Sequence, residues 1–224
     1  GHGGHDPGAR VRGLNEAELV LDVAVRLEQL LLKEPGVEVV LTRRTNAYVA
    51  LEERTAIANR AGADLFLSIH VNASGNASIR GFETYFLNFA PNSEAEAIAA
   101  RENAGGARTM GNLSDIVKAI TLNNKLDESR DLATTLQASL TERLGRLDKD
   151  ARSLGVKQAP FMVLIGATMP SALAEISFLT NEHDAELLRS GGYRQQIAEA
   201  LFAGVMKYQQ GLKSPPAPVL RSGF

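Results

Sequence analysis

Leu65-Phe66-Leu67-Ser68-Ile69-His70 is the stretch on which the fold turns. A short, nearly apolar run of this kind reads as a buried strand over Leu65–Ile69, with His70 just past its apolar part. Before it, Leu51 to Ala61 fits a helix ended by Gly62 at the C′ position, and Val37 to Thr42 is a β-branched run that predicts a further buried strand. Earlier still, Asn15 is placed to cap a helix with Glu18 three residues on, as in a capping box. Leu19, Val20, Val23, Ala24, Leu27, Leu30 and Leu31 then recur at helical spacing to about Lys33, where Pro35-Gly36 breaks the pattern.

Downstream, Gly81 to Leu87 reads as a strand, as do Phe161 to Ile165 and Leu173 to Phe178. Leu132, Leu136, Leu140 and Leu144 form a core-facing stripe on a long helix. A short helix is expected after Asn181 and a last one from about Tyr193 to Leu212. This alternation predicts an α/β fold, a mostly parallel sheet flanked by helices on both faces, in a single domain over residues 1–212. Residues 91–128 break the rhythm with an alanine-rich helix, a glycine turn and a polar amphipathic stretch, and read as a helical insertion. Residues 213–224 carry Pro215, Pro216 and Pro218 and read as a tail. The opening Gly1-His2-Gly3-Gly4 is loop chemistry, which leads us to expect a first strand upstream of it.

Composition narrows the function. The 224 residues carry a net charge of −2 with no basic cluster, so a nucleic-acid footprint is disfavoured, and no apolar run is long enough to span a bilayer. Absence of cysteine excludes disulfides, thiolate metal sites and cysteine nucleophiles, so any metal must be held by His, Asp or Glu. There are only four histidines to choose from: His2, His5, His70 and His183.

In α/β sheets ligands gather outside the carboxyl ends of strands. His2, in the opening glycine loop, and His70 fall at such places. Glu16 opens the first helix, and Glu175 lies inside the otherwise apolar Leu173-Ala174-Glu175-Ile176. Two His and one carboxylate form a standard set for catalytic zinc, with a second carboxylate moving the proton. Each residue also has a plain structural explanation. A loop histidine is often solvent-exposed, and Glu16 suits a helix N-terminus by its charge alone. Glu175 is the most telling, because an acid buried without a partner in an apolar strand costs several kcal/mol. Asn72 is placed to orient a ligand, bond substrate or make a loop hydrogen bond; Arg54 is placed to pair with an acid near the site or to lie on a solvated helix face. His5 and His183 read as surface residues.

Five ordered stretches then match one family. Gly1-His2-Gly3-Gly4-His5-Asp6-Pro7-Gly8-Ala9 resembles the opening zinc motif of the Amidase_3 type of N-acetylmuramoyl-L-alanine amidases, and Gly13-Leu14-Asn15-Glu16 its second motif. Leu41-Thr42-Arg43 with Leu51-Glu52-Glu53-Arg54, Ser68-Ile69-His70-Val71-Asn72-Ala73, and Pro170 to Asn181 resemble the next three. The resemblance implies zinc (Zn2+) held by His2, Glu16 and His70, and Glu175 as general base and acid. The implied reaction is hydrolysis of the amide between N-acetylmuramic acid and L-alanine in peptidoglycan, in the periplasm or outside the cell, in wall remodelling and cell division. Ala17 stands where lysine is usual and Ser177 where glycine is usual; neither removes a group the mechanism needs.

Relatives resembling the cell-division amidases carry an inhibitory helical insert where residues 91–128 lie. Glu94, Glu96, Glu102 and Asp115 are the acids that could reach the zinc from it, and a protein activator acting on the insert is the implied partner, with a monomer as the default state. A wall-peptide binding module and a zinc hydrolase of some other amide remain as alternatives at this point.

Overall fold

The computed structural model describes residues 1–89, 93–104 and 125–213. Two short strands, β1 (Arg10–Val11) and β2 (Leu14–Asn15), form an antiparallel clip that delivers the chain into helix α1 (Glu16–Leu31). Then come α2 (Leu51–Arg60), β3 (Phe66–Asn72), β4 (Phe82–Leu87), α3 (Ser93–Asn103) and α4 (Leu126–Leu147). β5 (Ser153–Ala159), a 3-10 turn (Met162–Leu164), β6 (Ser171–Phe178), α5 (Glu182–Arg189) and α6 (Gly191–Lys213) complete the order.

The sheet runs β3-β6-β4-β5. β3 and β6 are parallel, as are β4 and β5, but β4 meets β6 antiparallel, so the sheet is mixed. Helices cover both faces. α1, α4 and α6 pack on one face around Val23, Leu136, Ile176 and Leu201, with α4 and α6 in the most extensive helix pairing. α2, α3 and the 3-10 turn cover the other around Phe66, Tyr85, Ile98, Phe161 and Leu173. Burial on both faces explains why β6 has no exposed residue and reads as a continuous apolar run interrupted only by Glu175 and small hydroxyl residues.

Three sequence expectations are corrected. Val37 to Thr42 is not a strand: a cavity of about 820 Å3 lies between it and Leu65–Ile69, so its backbone has no ladder to join. Phe161 to Ile165 is a 3-10 turn rather than a strand; Pro160 precedes it, and the Ile165 carbonyl is bonded by the Thr55 hydroxyl of α2 at 3.1 Å rather than by a neighbouring strand. In the main sheet, β5 is a strand that the sequence reading did not expect. Its sequence, Ser-Leu-Gly-Val-Lys-Gln-Ala, lacks an apolar alternation because it is an edge strand, where a lysine and a glycine are tolerated. α4 begins at Leu126, so its first three residues fall within the expected insertion.

The stripe Leu132, Leu136, Leu140, Leu144 is fully buried, as its spacing predicts. Leu140→Ala is expected to cost about 2–5 kcal/mol in urea denaturation, through lost transfer energy and a cavity. Leu32→Ala, at an exposed site, is expected to stay within about 0.5 kcal/mol of the parent.

Candidate metal centre

The opening loop is shaped to present one imidazole. His2 sits at φ 52°, a left-handed conformation that a side chain rarely adopts, and Gly3 and Asp6 close a tight turn through backbone bonds of 2.7 and 3.2 Å. Two buried arginines hold the loop by its carbonyls. Arg43 donates to Gly1 O at 3.0 Å and Ala17 O at 2.6 Å, and Arg54 donates to His2 O at 2.8 Å. Gly8, at φ +64°, lets the backbone pass the site; a Cβ there would lie 2.4 Å from Glu16 Oε2 and 2.6 Å from His2 Cδ2.

Glu16 is the first residue of α1, whose cap is the Asn15 side chain accepting from Ala17 N at 3.1 Å. Its carboxylate is fixed from both sides, Oε2 by Ala9 N at 2.8 Å and Oε1 by Val71 N at 2.9 Å. His70 lies within β3 rather than beyond it, because pairing with β6 carries the strand on to Asn72.

These elements bring His2, Glu16 and His70 together, and α3 adds Glu102. His2 Nε2 lies 3.1 Å from Glu16 Oε1 and 3.1 Å from Glu102 Oε2; His70 Nδ1 lies 3.2 Å and 3.0 Å from the same two oxygens. All four groups are buried. Despite these distances, His2 Nε2 and Glu102 Oε2 have no hydrogen-bond partner among the described residues. Two imidazoles and two carboxylates are the donor types zinc takes, and with all four ligand atoms within 4.8 Å of one another the residues present suit such an ion. Asp6 Oδ2 bonds His2 Nδ1 at 2.9 Å, which leaves Nε2 free to face the site.

The electrostatics point the same way. Burial works against charge on His2, yet the carboxylates of Asp6, Glu102 and Glu16 override it and raise its pKa to about 11. Burial works against the Glu16 carboxylate too, but the two imidazoles bring it down to about 2 and hold Glu102 well below the usual carboxylate range. The His2 imidazole and the carboxylates thus hold one another in their charged forms. Glu175 behaves oppositely. Burial first, then the charges of Glu102 and Glu16, push its carboxyl well above the usual range. It is fully buried, directly opposite His70 in the β3–β6 ladder, and neither of its oxygens has a hydrogen-bond partner among the described residues.

The remaining sequence expectations divide. Arg54 is neither on a solvated face nor paired to an acid; it is buried and its partners are the backbone carbonyls of His2 and Val49. Asn72 is fully buried, bonded to Glu83, Arg101 and Ala73 N. Of the insertion acids, Glu102 reaches the cluster, Glu94 and Glu96 are exposed, and Asp115 lies outside the described residues. His5 is exposed against the Tyr48 ring at 4.0 Å, and His183 pairs with Asp148 at 3.0 Å. Sequence reasoning missed Asp6, Arg43, Glu83 and Arg101. Only Asp6 gave a usable signal, standing four residues from His2 in a turn-forming loop.

The fold and the buried two-histidine, two-carboxylate cluster define a class: an α/β hydrolytic enzyme with a site able to hold a metal. Residues 1–207 match the N-acetylmuramoyl-L-alanine amidase family, and the chain belongs to that family of hydrolases. It is 36% identical to the uncharacterized protein YqiI of Bacillus subtilis over 93% of this chain and 81% of the relative. It is 33% identical to the N-acetylmuramoyl-L-alanine amidase AmiA of Escherichia coli over 93% of this chain and 73% of the relative. The crystal structure of an N-acetylmuramoyl-L-alanine amidase from Clostridium difficile superposes with a TM-score of 0.73 at 27% identity, covering 94% of this chain and 93% of the other.

Two outcomes follow from this geometry. The carboxylates of Asp6, Glu102 and Glu16 favour the protonated His2 ring, so a cation binding at Nε2 competes with that proton. Calorimetric zinc titration in buffers of different ionisation enthalpy at pH 7 is expected to show about one proton released from this ring per ion, with affinity rising as pH rises; pH-independent binding contradicts it. Gly8→Ala is expected to weaken zinc binding at least about tenfold, because the new Cβ displaces Glu16 or His2.

Proposed function

We propose that this chain cleaves the amide between the lactyl group of N-acetylmuramic acid and L-alanine in peptidoglycan, with zinc held by His2, Glu16 and His70 and with Glu175 as the proton carrier. The observation that carries the reading is the convergence of His2 Nε2, Glu16 Oε1 and His70 Nδ1 beside a buried, unpartnered Glu175. When bound, the ion supplies Lewis-acid polarisation of the scissile carbonyl and a water of lowered pKa.

The chain's own residues supply the rest. Asp6 fixes the His2 tautomer, while Ala9 N and Val71 N hold the Glu16 carboxylate at its angle. Glu175, desolvated and repelled by the nearby acids, has a high affinity for a proton. It takes one from the attacking water at its carboxylate and returns it to the leaving nitrogen of L-alanine. The buried setting keeps competing water from that carboxylate.

Glu102 belongs to a second part of the proposal. Its Oε2 stands where an open coordination position is needed, so with α3 seated the site is closed to substrate. The insertion over 91–128 is an inhibitory element in this reading. Its removal by a protein activator would free that position. Of the insertion acids weighed above, Glu102 alone has the geometry for this among the described residues. No helix of the described residues is long and apolar enough to cross a membrane, and a wall substrate places the enzyme in the periplasm or outside the cell. It would act there as a monomer.

Glu175→Gln is expected to lower kcat on muropeptides by about 10²–10⁴-fold while keeping one zinc per chain, because the residue is not in the ligand cluster. Wild-type turnover in this variant contradicts its role. Glu102→Ala is expected to raise hydrolysis of purified sacculi without activator, and an unchanged rate contradicts the gate. Mass spectrometry of the products, reading free muramoyl carboxylate and free L-alanine amine, separates this reaction from cleavage of another amide.

A further inference from the structure

A second buried acid, Glu83, lies in the same row of the sheet. Its Cα is directly opposite Glu175 in the β4–β6 ladder, as Glu175 is opposite His70 in the β3–β6 ladder, so the three side chains share a face. Glu83 is fully buried: Oε1 accepts from Asn72 Nδ2 at 2.9 Å and Tyr85 Oη at 2.8 Å, while Oε2 makes no hydrogen bond among the described residues but lies in ion-pair contact with Lys157 Nζ at 2.5 Å. Asn72 is on β3 and Glu83 on β4, with β6 between them, so the two side chains meet over the strand that carries Glu175. A buried ion pair of this kind adds little stability over an apolar replacement, which leaves its purpose to be sought in the site.

The Asn72 amide has one orientation only. Glu83 demands a donor from it, while Ala73 N at 2.8 Å and Arg101 Nη2 at 2.8 Å demand an acceptor. Oδ1 thereby stands at the end of β3, where the guanidinium that bonds it also bonds the Ala73 carbonyl. One guanidinium fills both acceptors, Arg101 bonding Asn72 Oδ1 with Nη2 and Ala73 O with Nη1. Arg101 and Glu102 are neighbours on α3. The same helix turn that places a carboxylate in the cluster therefore places a two-armed donor on the strand end next to it.

We propose that Glu83 is a positioning residue that locks Asn72 with Oδ1 facing the cleft, where this oxygen and the Ala73 carbonyl accept N–H groups of the substrate's stem peptide, and that Arg101 occupies those acceptors while α3 is seated. This rests on the amidase reading. A peptide running from the scissile bond along the end of β3 offers the donors that two adjacent, pre-aimed acceptors require; the glycan is the competing source and is an arm of the test. Departure of α3 would expose the pair without reorganising it, since Glu83, Tyr85 and Lys157 all lie on β4 and β5.

The test is calorimetric binding of a free stem peptide beginning with L-alanine to the full chain, a readout independent of turnover. Arg101→Ala is expected to tighten peptide binding about tenfold over the parent, by freeing both acceptors. In that background, Glu83→Gln and Asn72→Asp are each expected to lose about tenfold, the first by loosening the amide and the second by setting two acids against each other. The double exchange Asn72→Asp with Glu83→Gln restores the contact with donor and acceptor reversed and is expected to regain affinity to within about threefold of the Arg101→Ala chain. Thermal unfolding is read on every variant; if Glu83→Gln does not fold, Asn72→Asp against Arg101→Ala carries the test. Peptide affinity untouched by the single exchanges, a swap no better than either, or binding of a peptide-free glycan in place of the peptide would overturn the inference. Failure of the Glu102→Ala chain, in which the coordination position is open, to release L-alanine amine from muropeptides would instead strike the amidase reading, which these affinities do not touch.

Discussion

Two carboxylates drawn within 4.8 Å of each other in a space closed to solvent are the constraint on which the molecule is built. At that separation Glu16 and Glu102 repel by on the order of 3 kcal/mol at an effective dielectric of 20, and each has also lost its hydration. Nothing in an apolar core offsets that. Two imidazoles offset part of it, His70 Nδ1 by a hydrogen bond to Glu16 Oε1 at 3.2 Å, while His2 Nε2 and Glu102 Oε2 stay without hydrogen-bond partners among the described residues. The four groups could together hold a metal ion, which would offset the rest. The strained His2, the glycine that skirts Glu16, and the arginines gripping the loop carbonyls all serve that one convergence.

The same constraint orders the sheet. β3 and β6 run parallel, so His70 and Glu175 come side by side from segments far apart in the chain. The antiparallel return of β4 then sets Glu83 beside Glu175 on the other side. His70, Glu175 and Glu83 thus stand on three adjacent strands, and α3 covers this face with Arg101 and Glu102. One helix turn supplies both the carboxylate in the cluster and the guanidinium on the Asn72 and Ala73 oxygens.

The residues that converge at the candidate site drew notice in the sequence because they break local rules. Glu175 interrupts an apolar strand, His70 extends one, and His2 lies among glycines that only a close approach would require. The helices were legible from leucine spacing, since α1 and α4 each bury one stripe against the sheet. What could not be read depends on tertiary partners. Val37 to Thr42 has strand composition but no ladder, and β5 has a ladder but edge-strand composition. Arg54 was left open between an acid near the site and a solvated helix face, because the carbonyl it binds belongs to His2, distant in sequence. Glu102 could not be chosen over Glu94 or Glu96, because helical phase relative to the cluster is set by packing of Ala95, Ile98 and Ala99, not by local pattern.

X-ray absorption at the zinc edge, on protein loaded with one equivalent of the ion, tests the convergence itself. A first shell of about four light ligands near 2.0–2.1 Å with the outer-shell scattering of two imidazoles is the expected spectrum. A shell of oxygens alone, or a single imidazole, would mean that His2 and His70 do not share an ion, and the account of this site would fail.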